Sequence, residues 1–184
     1  KAGIFYHEDF AREGYYILRD RLEPGFQSLQ DLISSGQARL YTPRVCEDTL
    51  RLLKVTHTPS LILDVKLEGE YDTAILSAAG VVEAAEKLQS GELNMAFCFV
   101  GAAGHHASRN SCWGFCFFND VAMAVSRLRE LGVGRIMVLD VDPHFGDGTR
   151  DLLGGDPEVI HINLHTGFVT NENPVWNNYD YGIG

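Results

Sequence analysis

The spacing of apolar residues changes several times along the chain, and each change predicts an element. From Thr73 to about Gln89 an alanine-rich stretch repeats apolar residues at helical spacing, and Gly91 supplies a stop, so a helix is predicted there. Two upstream segments open on Thr-Pro: YTPRVCEDTLRLL from Tyr41 and HTPSLILDV from His57. Threonine caps a helix and proline fits its first position, where no N–H is needed, so each segment predicts a short helix. In the first, Val45, Cys46, Thr49, Leu50, Leu52 and Leu53 would form the apolar face. NMAFCFVG from Asn94 is an unbroken apolar run of strand length. A helical pattern follows from about Asn119 to Leu131, with Val121, Ala124, Val125 and Leu128 on one side and Gly132 at its end. RIMVLDVD from Arg135 reads as a strand ending in acidic residues, PHFGDGT as a loop, and VIHINLH from Val159, after a helical turn and the GGDP break, as another buried strand.

Apolar strands alternating with helices predict an α/β fold with a mainly parallel sheet, built from right-handed crossovers. Such a sheet needs cover on both faces, which implies three α/β/α layers. Ligands gather at the carboxyl ends of its strands, and both chemically rich loops of this chain fall there. No repeat, low-complexity tract or linker divides the sequence, so residues 1–184 are read as one domain.

Composition narrows the function classes. With 45% hydrophobic residues the chain can bury a core, but its apolar runs stop short of the roughly 18 residues a membrane span needs. With no signal segment at the start, a cytoplasmic protein without membrane contact is expected. Cys46, Cys98, Cys112 and Cys116 are then expected as reduced thiols. The formal charge of -10 argues against direct binding to nucleic acid and is compatible with a cationic substrate or product.

The stretch GHHASRNSCWGFCFFND carries adjacent imidazoles, His105 and His106. Further on, Asp142 and His144 stand two apart at a strand end, where alternate side chains point the same way and could share one metal ion. Carboxylate plus imidazole suits zinc and also accepts iron, cobalt or manganese. One imidazole could take a proton from metal-activated water and an imidazole could return one to a leaving amine, each oriented by a carboxylate such as Asp140 or Asp147. Taken singly, the histidine pair reads as a loop satisfied by backbone carbonyls and the aspartates as capping or turn chemistry; the two loops together favour a site. His7, His57, His161 and His165 are expected in structural roles.

GHHA, GFCFFND and DVDPHFGDGT, in this order and spacing, resemble the histone deacetylase superfamily of the arginase/deacetylase fold, which includes bacterial acetylpolyamine amidohydrolases and acetoin-utilisation proteins. The resemblance runs from about Gly101 to Leu164. It implies that His106 is the general base and acid, that His105 is its electrostatic partner, and that Asp140 and Asp147 orient His105 and His106, respectively. It makes Asp142 and His144 two of three zinc ligands, and gives Gly114 and Phe115 to the substrate channel. A structural potassium would lie on Asp140, Asp142, His144, Asn163 and Leu164. The implied reaction is metal-dependent removal of an acetyl or other acyl group from an amine: a lysine side chain, a polyamine or a small metabolite.

The sequence departs from the family pattern at Ala102 and Ala103, where Arg-Pro is frequent, and at Phe145, where a second histidine is usual. The third zinc ligand and the oxyanion-stabilising tyrosine or histidine are expected beyond Gly184; Asp180 and Tyr181 do not stand in either motif. An amino-terminal portion of a deacetylase is therefore expected, with an exposed parallel edge that favours self-association. Two other readings stay open: a non-catalytic binding or assembly module, and a binuclear manganese ureohydrolase. The second is disfavoured because D-x-D-x-H replaces its usual D-x-H-x-D.

Overall fold

The computed structural model describes residues 1–184. The first strand, β1 (Ala2–Phe5), is followed by helices α1 (Asp9–Glu13), α2 (Tyr16–Gln27) and α3 (Gln30–Ser34), and then by β2 (Ala38–Tyr41). Three further helices, α4 (Glu47–Thr56), α5 (Pro59–Leu67) and α6 (Tyr71–Gln89), lead to β3 (Met95–Cys98). The second half contains α7 (Asp120–Glu130), β4 (Ile136–Asp140), α8 (Asp147–Leu153), β5 (Val159–His165), β6 (Asn171–Asn173) and β7 (Asn178–Gly182). The fold is α/β and mainly parallel, as expected; none of its helices is long and apolar enough to cross a membrane.

The strands form two groups, ordered β2-β1-β3 and β4-β5-β7-β6, and every pairing is parallel except β6 with β7. The first group lies between layers. Phe5, Tyr41 and Leu93 pack with Ala84 of α6 on one side, while Tyr6 stacks on Phe26 of α2 at 3.8 Å on the other. The second group buries Val159 against Ala122 and Val125 of α7 and Leu153 of α8. A crossover through α8 makes β4 and β5 neighbours, as the apolar pattern predicts. The crossover through α7 does not pair β3 with β4, which instead lie on the outside of separate sheets. Met95, Phe97, Met137 and Leu139 are exposed along these two strands, and Val141 just beyond β4.

Helix α5 starts as its Thr-Pro signal predicts: the Thr58 hydroxyl accepts the Leu61 N–H and Pro59 takes the first turn. The same signal at Tyr41 does not start a helix. Tyr41 closes β2, its carbonyl accepting the Tyr6 N–H, and helix α4 begins only at Glu47. Strand pairing thus claims the segment, and Pro43 packs against Gly80 of α6. The buried face of α4 is Thr49, Leu52, Leu53 and Thr56; Val45 and Leu50 are exposed. The largest core joins Leu52 and Leu53 to Leu61, Val65, the alanine face of α6, Phe118 and Met123. Small alanines let α6 and α7 approach closely, which carries the chain from β3 toward β4 and their two loops.

Candidate active site

Two loops meet beyond the carboxyl ends of β3 and β4. The first runs from Gly101 to Asn119 and is fastened at several points. Ala103 N–H donates to the Phe115 carbonyl and Phe117 N–H to the Ala103 carbonyl. Asn119, fully buried, caps α7 through the Ala122 N–H, and its amide donates to the Ala107 carbonyl and to Thr149 of α8. His57 completes the clamp, with Nδ1–H donating to the Ser108 carbonyl at 2.8 Å and Nε2 accepting the Asn119 N–H at 2.9 Å. The Thr149 N–H to His105 carbonyl bond, 3.0 Å, ties the first loop to α8.

Within this frame each imidazole meets its own carboxylate. His105 Nδ1 lies 2.9 Å from Asp140 Oδ2, and His106 Nδ1 lies 2.6 Å from Asp147 Oδ1. The two rings are 4.0 Å apart between centroids. Trp113 stacks on His106 at 3.7 Å and donates its indole N–H to the other Asp147 oxygen at 2.9 Å, so the same side chain holds the imidazole and its partner. His106, Gly114 and Phe115 interlock as well. A Cβ on Gly114 would stand 2.9 Å from His106 Cδ2, and the residue sits at φ +60°, a region costly for side-chain-bearing residues. Gly114→Ala is therefore expected to lower stability by about 1–2 kcal/mol and to displace His106, measured by urea denaturation and by the imidazole proton signals.

The electrostatics separate the histidines. Burial works against the charged form of His105, but the hydrogen bond it donates to Asp140 and the charges of Asp140, Asp142 and Asp147 outweigh it, raising its pKa. For His106 burial prevails over the Asp147 bond, assisted by repulsion from His105, and its pKa is lowered. Burial likewise opposes the ionised form of Asp140, yet its bonds to His105 and to the Asp142 N–H leave its pKa lowered. An environment that favours the charged form of one imidazole and the neutral form of its neighbour suits an electrostatic partner beside a base.

His105, His106, Gly114, Phe115, Asp140, Asp142 and His144 line a cleft of about 650 Å³, with Asp147 behind His106. Asp142 and His144 are adjacent, their Oδ1 and Nδ1 atoms 3.0 Å apart, and Asp142 Oδ1 is 3.9 Å from His105 Nε2. No group of three His, Cys, Asp or Glu side chains is poised around a common metal position. The donor types suit zinc, while their number is one short of the three that a catalytic zinc site ordinarily takes from protein. Asn163 neighbours Asp140 across the β4–β5 ladder, its amide oxygen accepting the Gly146 N–H at 3.1 Å; Leu164 pairs with Tyr181.

Sequence reasoning did not assign Trp113, Asn119, His57 or Asp120 to the site. Trp113 and Asn119 lie in the quoted stretch, so their residue types were visible and only their contacts were not. Asp120 lines the cleft, and burial pushes its pKa up to about 6. Its carboxylate lies against Gly104, where an added Cβ would come within 2.3 Å of it.

The histone deacetylase domain family matches residues 50–180. Histone deacetylase 5 of Arabidopsis thaliana is 42% identical over 101 residues, 53% of this chain and 15% of that protein. Histone deacetylase 9 of Homo sapiens is 41% identical over 93 residues, 50% of this chain and 9% of its own length. A probable deacetylase of Archaeoglobus fulgidus is 33% identical over 147 residues, 78% of this chain and 38% of that protein. The crystal structure of the HDA15 HD domain superposes on all of the chain and 61% of its own, with a TM-score of 0.83 at 20% identity, a likeness in fold. The chain spans less than two thirds of each of these proteins.

Proposed function

The chain belongs to the histone deacetylase family, and from that premise we propose that it carries the proton-transfer half of a metal-dependent amide deacylation site. The observation that carries this reading is the pair of histidines, each bound through Nδ1 to a separate carboxylate and both facing the cleft that holds Asp142 and His144. With Nδ1–H donating to Asp147, His106 has Nε2 free as an acceptor, so it takes the proton of the attacking water and later delivers a proton to the departing amine. His105, paired with Asp140, carries positive charge beside it and favours the negative charge that develops at the acyl centre.

Asp142 and His144 are the residues that would hold the metal, zinc by donor type, with iron, cobalt or manganese accepted by the same donors; when bound it supplies Lewis acidity toward water and the acyl carbonyl. Asp140, Asp142, His144, Asn163 and Leu164 are assigned to the structural potassium on the same reading. Phe115 and Gly114 form the wall along which the acylated amine lies. A cationic product suits the adjoining groove: Trp113, Gly114 and Phe115 are shared with it, and Glu68 and Glu70 also line it. The substrate class is an acylated lysine side chain, an acylated polyamine or a similar small metabolite.

Acetate release from an N-acetyl-lysine peptide by the zinc-loaded protein, with a segment present that supplies the third metal ligand, tests this reading, with turnover expected and abolished by chelation. A folded protein that binds zinc yet releases no acetate from acetyl-lysine or acetylated diamine would overturn it. That result would favour a non-catalytic binding module, a reading supported by the short donor count at Asp142 and His144.

A further inference from the structure

Beneath the first turn of α8 lies a buried polar cluster of which the catalytic reading uses Asn163 alone, as a potassium ligand. Asp180 of β7 is 2% exposed and accepts three donors: Asn163 Nδ2 at 2.8 Å, Asn178 Nδ2 at 2.9 Å and the Arg150 guanidinium at 3.3 Å. Asn163 and Asn178 are buried as deeply. On its other side Asn163 Oδ1 accepts the Gly146 N–H at 3.1 Å, and Gly146 immediately precedes Asp147, the partner of His106. There is no slack at Gly146: an added Cβ would stand 2.5 Å from Asp140 Oδ2, 2.9 Å from Asn163 Oδ1 and 3.3 Å from His105 Nδ1.

We infer that Asp180 is a positioning residue for the His106–Asp147 pair, acting through Asn163 and Gly146; this rests on the proposed role of that pair. A carboxylate facing a guanidinium offers acceptors only, so it selects the NH2 end of the Asn163 amide and turns the oxygen toward Gly146. A primary amide has two orientations of nearly equal shape; Asp180 makes one of them the low-energy state. Arg150 reinforces the arrangement from α8 itself, since its backbone N–H bonds the Gly146 carbonyl while its side chain reaches Asp180. The loop before Asp147 is thereby held from both its N–H and its C=O.

Asp180→Asn conserves shape but introduces an NH2 among three donors, so Asn163 loses its orienting partner. The readout is the Nδ1 proton of His106, observed by imidazole NMR on the full chain and identified by its change in Asp147→Asn. In Asp180→Asn this resonance is expected to move upfield and broaden, and kcat on the acetyl-lysine peptide to fall roughly tenfold to a hundredfold with KM unchanged. Asn163→Ser, small enough to fit but too short to span Asp180 and Gly146, is expected to move the same resonance if Asp180→Asn does not fold. An unshifted His106 proton in either folded variant, whatever its melting temperature, would overturn the inference, because a purely structural role changes stability alone. The spectrum needs no turnover, so loss of the catalytic reading and loss of the positioning role give different results.

Discussion

His106→Ala is expected to slow deacylation by roughly 100-fold to 10,000-fold while the protein stays folded. The fold favours the neutral form of His106, since burial lowers its pKa and the nearby His105 charge lowers it further. Its Nδ1 is committed to Asp147, which leaves Nε2 as the proton acceptor. Alanine leaves Trp113 with its bond to Asp147, so the surrounding loop retains support. The loss belongs in kcat and kcat/KM together, as for an interaction made in the transition state. Its pH dependence follows in sign: the base form exists above the His106 pKa, so wild-type activity falls as pH drops through it. Because that pKa lies below the ordinary histidine value, activity persists to lower pH than a free imidazole would allow. Steady-state rates on an acetyl-lysine peptide between pH 5 and 8 check both points, and an unchanged rate in His106→Ala sinks the assignment.

Stability is expected to depend most strongly on a different histidine. His57 is fully buried, donates to Ser108 and accepts from Asn119, and burial pulls its pKa down to about 4. Its hydrogen bonds require the neutral form with the proton on Nδ1. The unfolded chain binds a proton near the ordinary value, so His57 contributes stability that is complete above about pH 6.5 and is lost as pH falls toward about 4, in all about 3 kcal/mol. His57→Ala should remove this contribution. At pH 7.5 it also leaves the Ser108 carbonyl and the Asn119 N–H without partners, at about 1–3 kcal/mol each where they stay buried. Urea denaturation of both proteins at pH 7.5 and at pH 4 measures the difference, which is expected to shrink by about 3 kcal/mol at the lower pH. A difference independent of pH would show that His57 titrates normally.

Much of this architecture is legible along the chain. The long helix α6, the capped helix α5, and the alternation β3, α7, β4, α8, β5 follow from local signals: alanine-rich periodicity, Thr58 with Pro59, and short apolar runs closed by glycine. Residues before Ala38 gave no comparable pattern, since β1 has four residues and α2 contains Pro24. The Tyr41 segment misled because Thr-Pro is a local signal and strand pairing with β1 is not.

What the sequence by itself determined is chemistry confined to neighbours: two adjacent imidazoles, an Asp-x-Asp-x-His strand end, and residue types suited to a divalent metal. Side-chain identity and short spacing survive without knowledge of the fold. The pairing of His105 with Asp140 and of His106 with Asp147, implied by the family resemblance, is what the structure shows; only the tertiary structure decided that Trp113 covers His106, that His57 fastens a loop distant in sequence, and that Asp180 lies under α8. These contacts span from a few residues to over sixty positions, and a hydrogen bond requires donor and acceptor to come within about 3 Å in a fixed direction. That precision arises when sheets, helices and buried polar groups satisfy one another together, and no local pattern contains it.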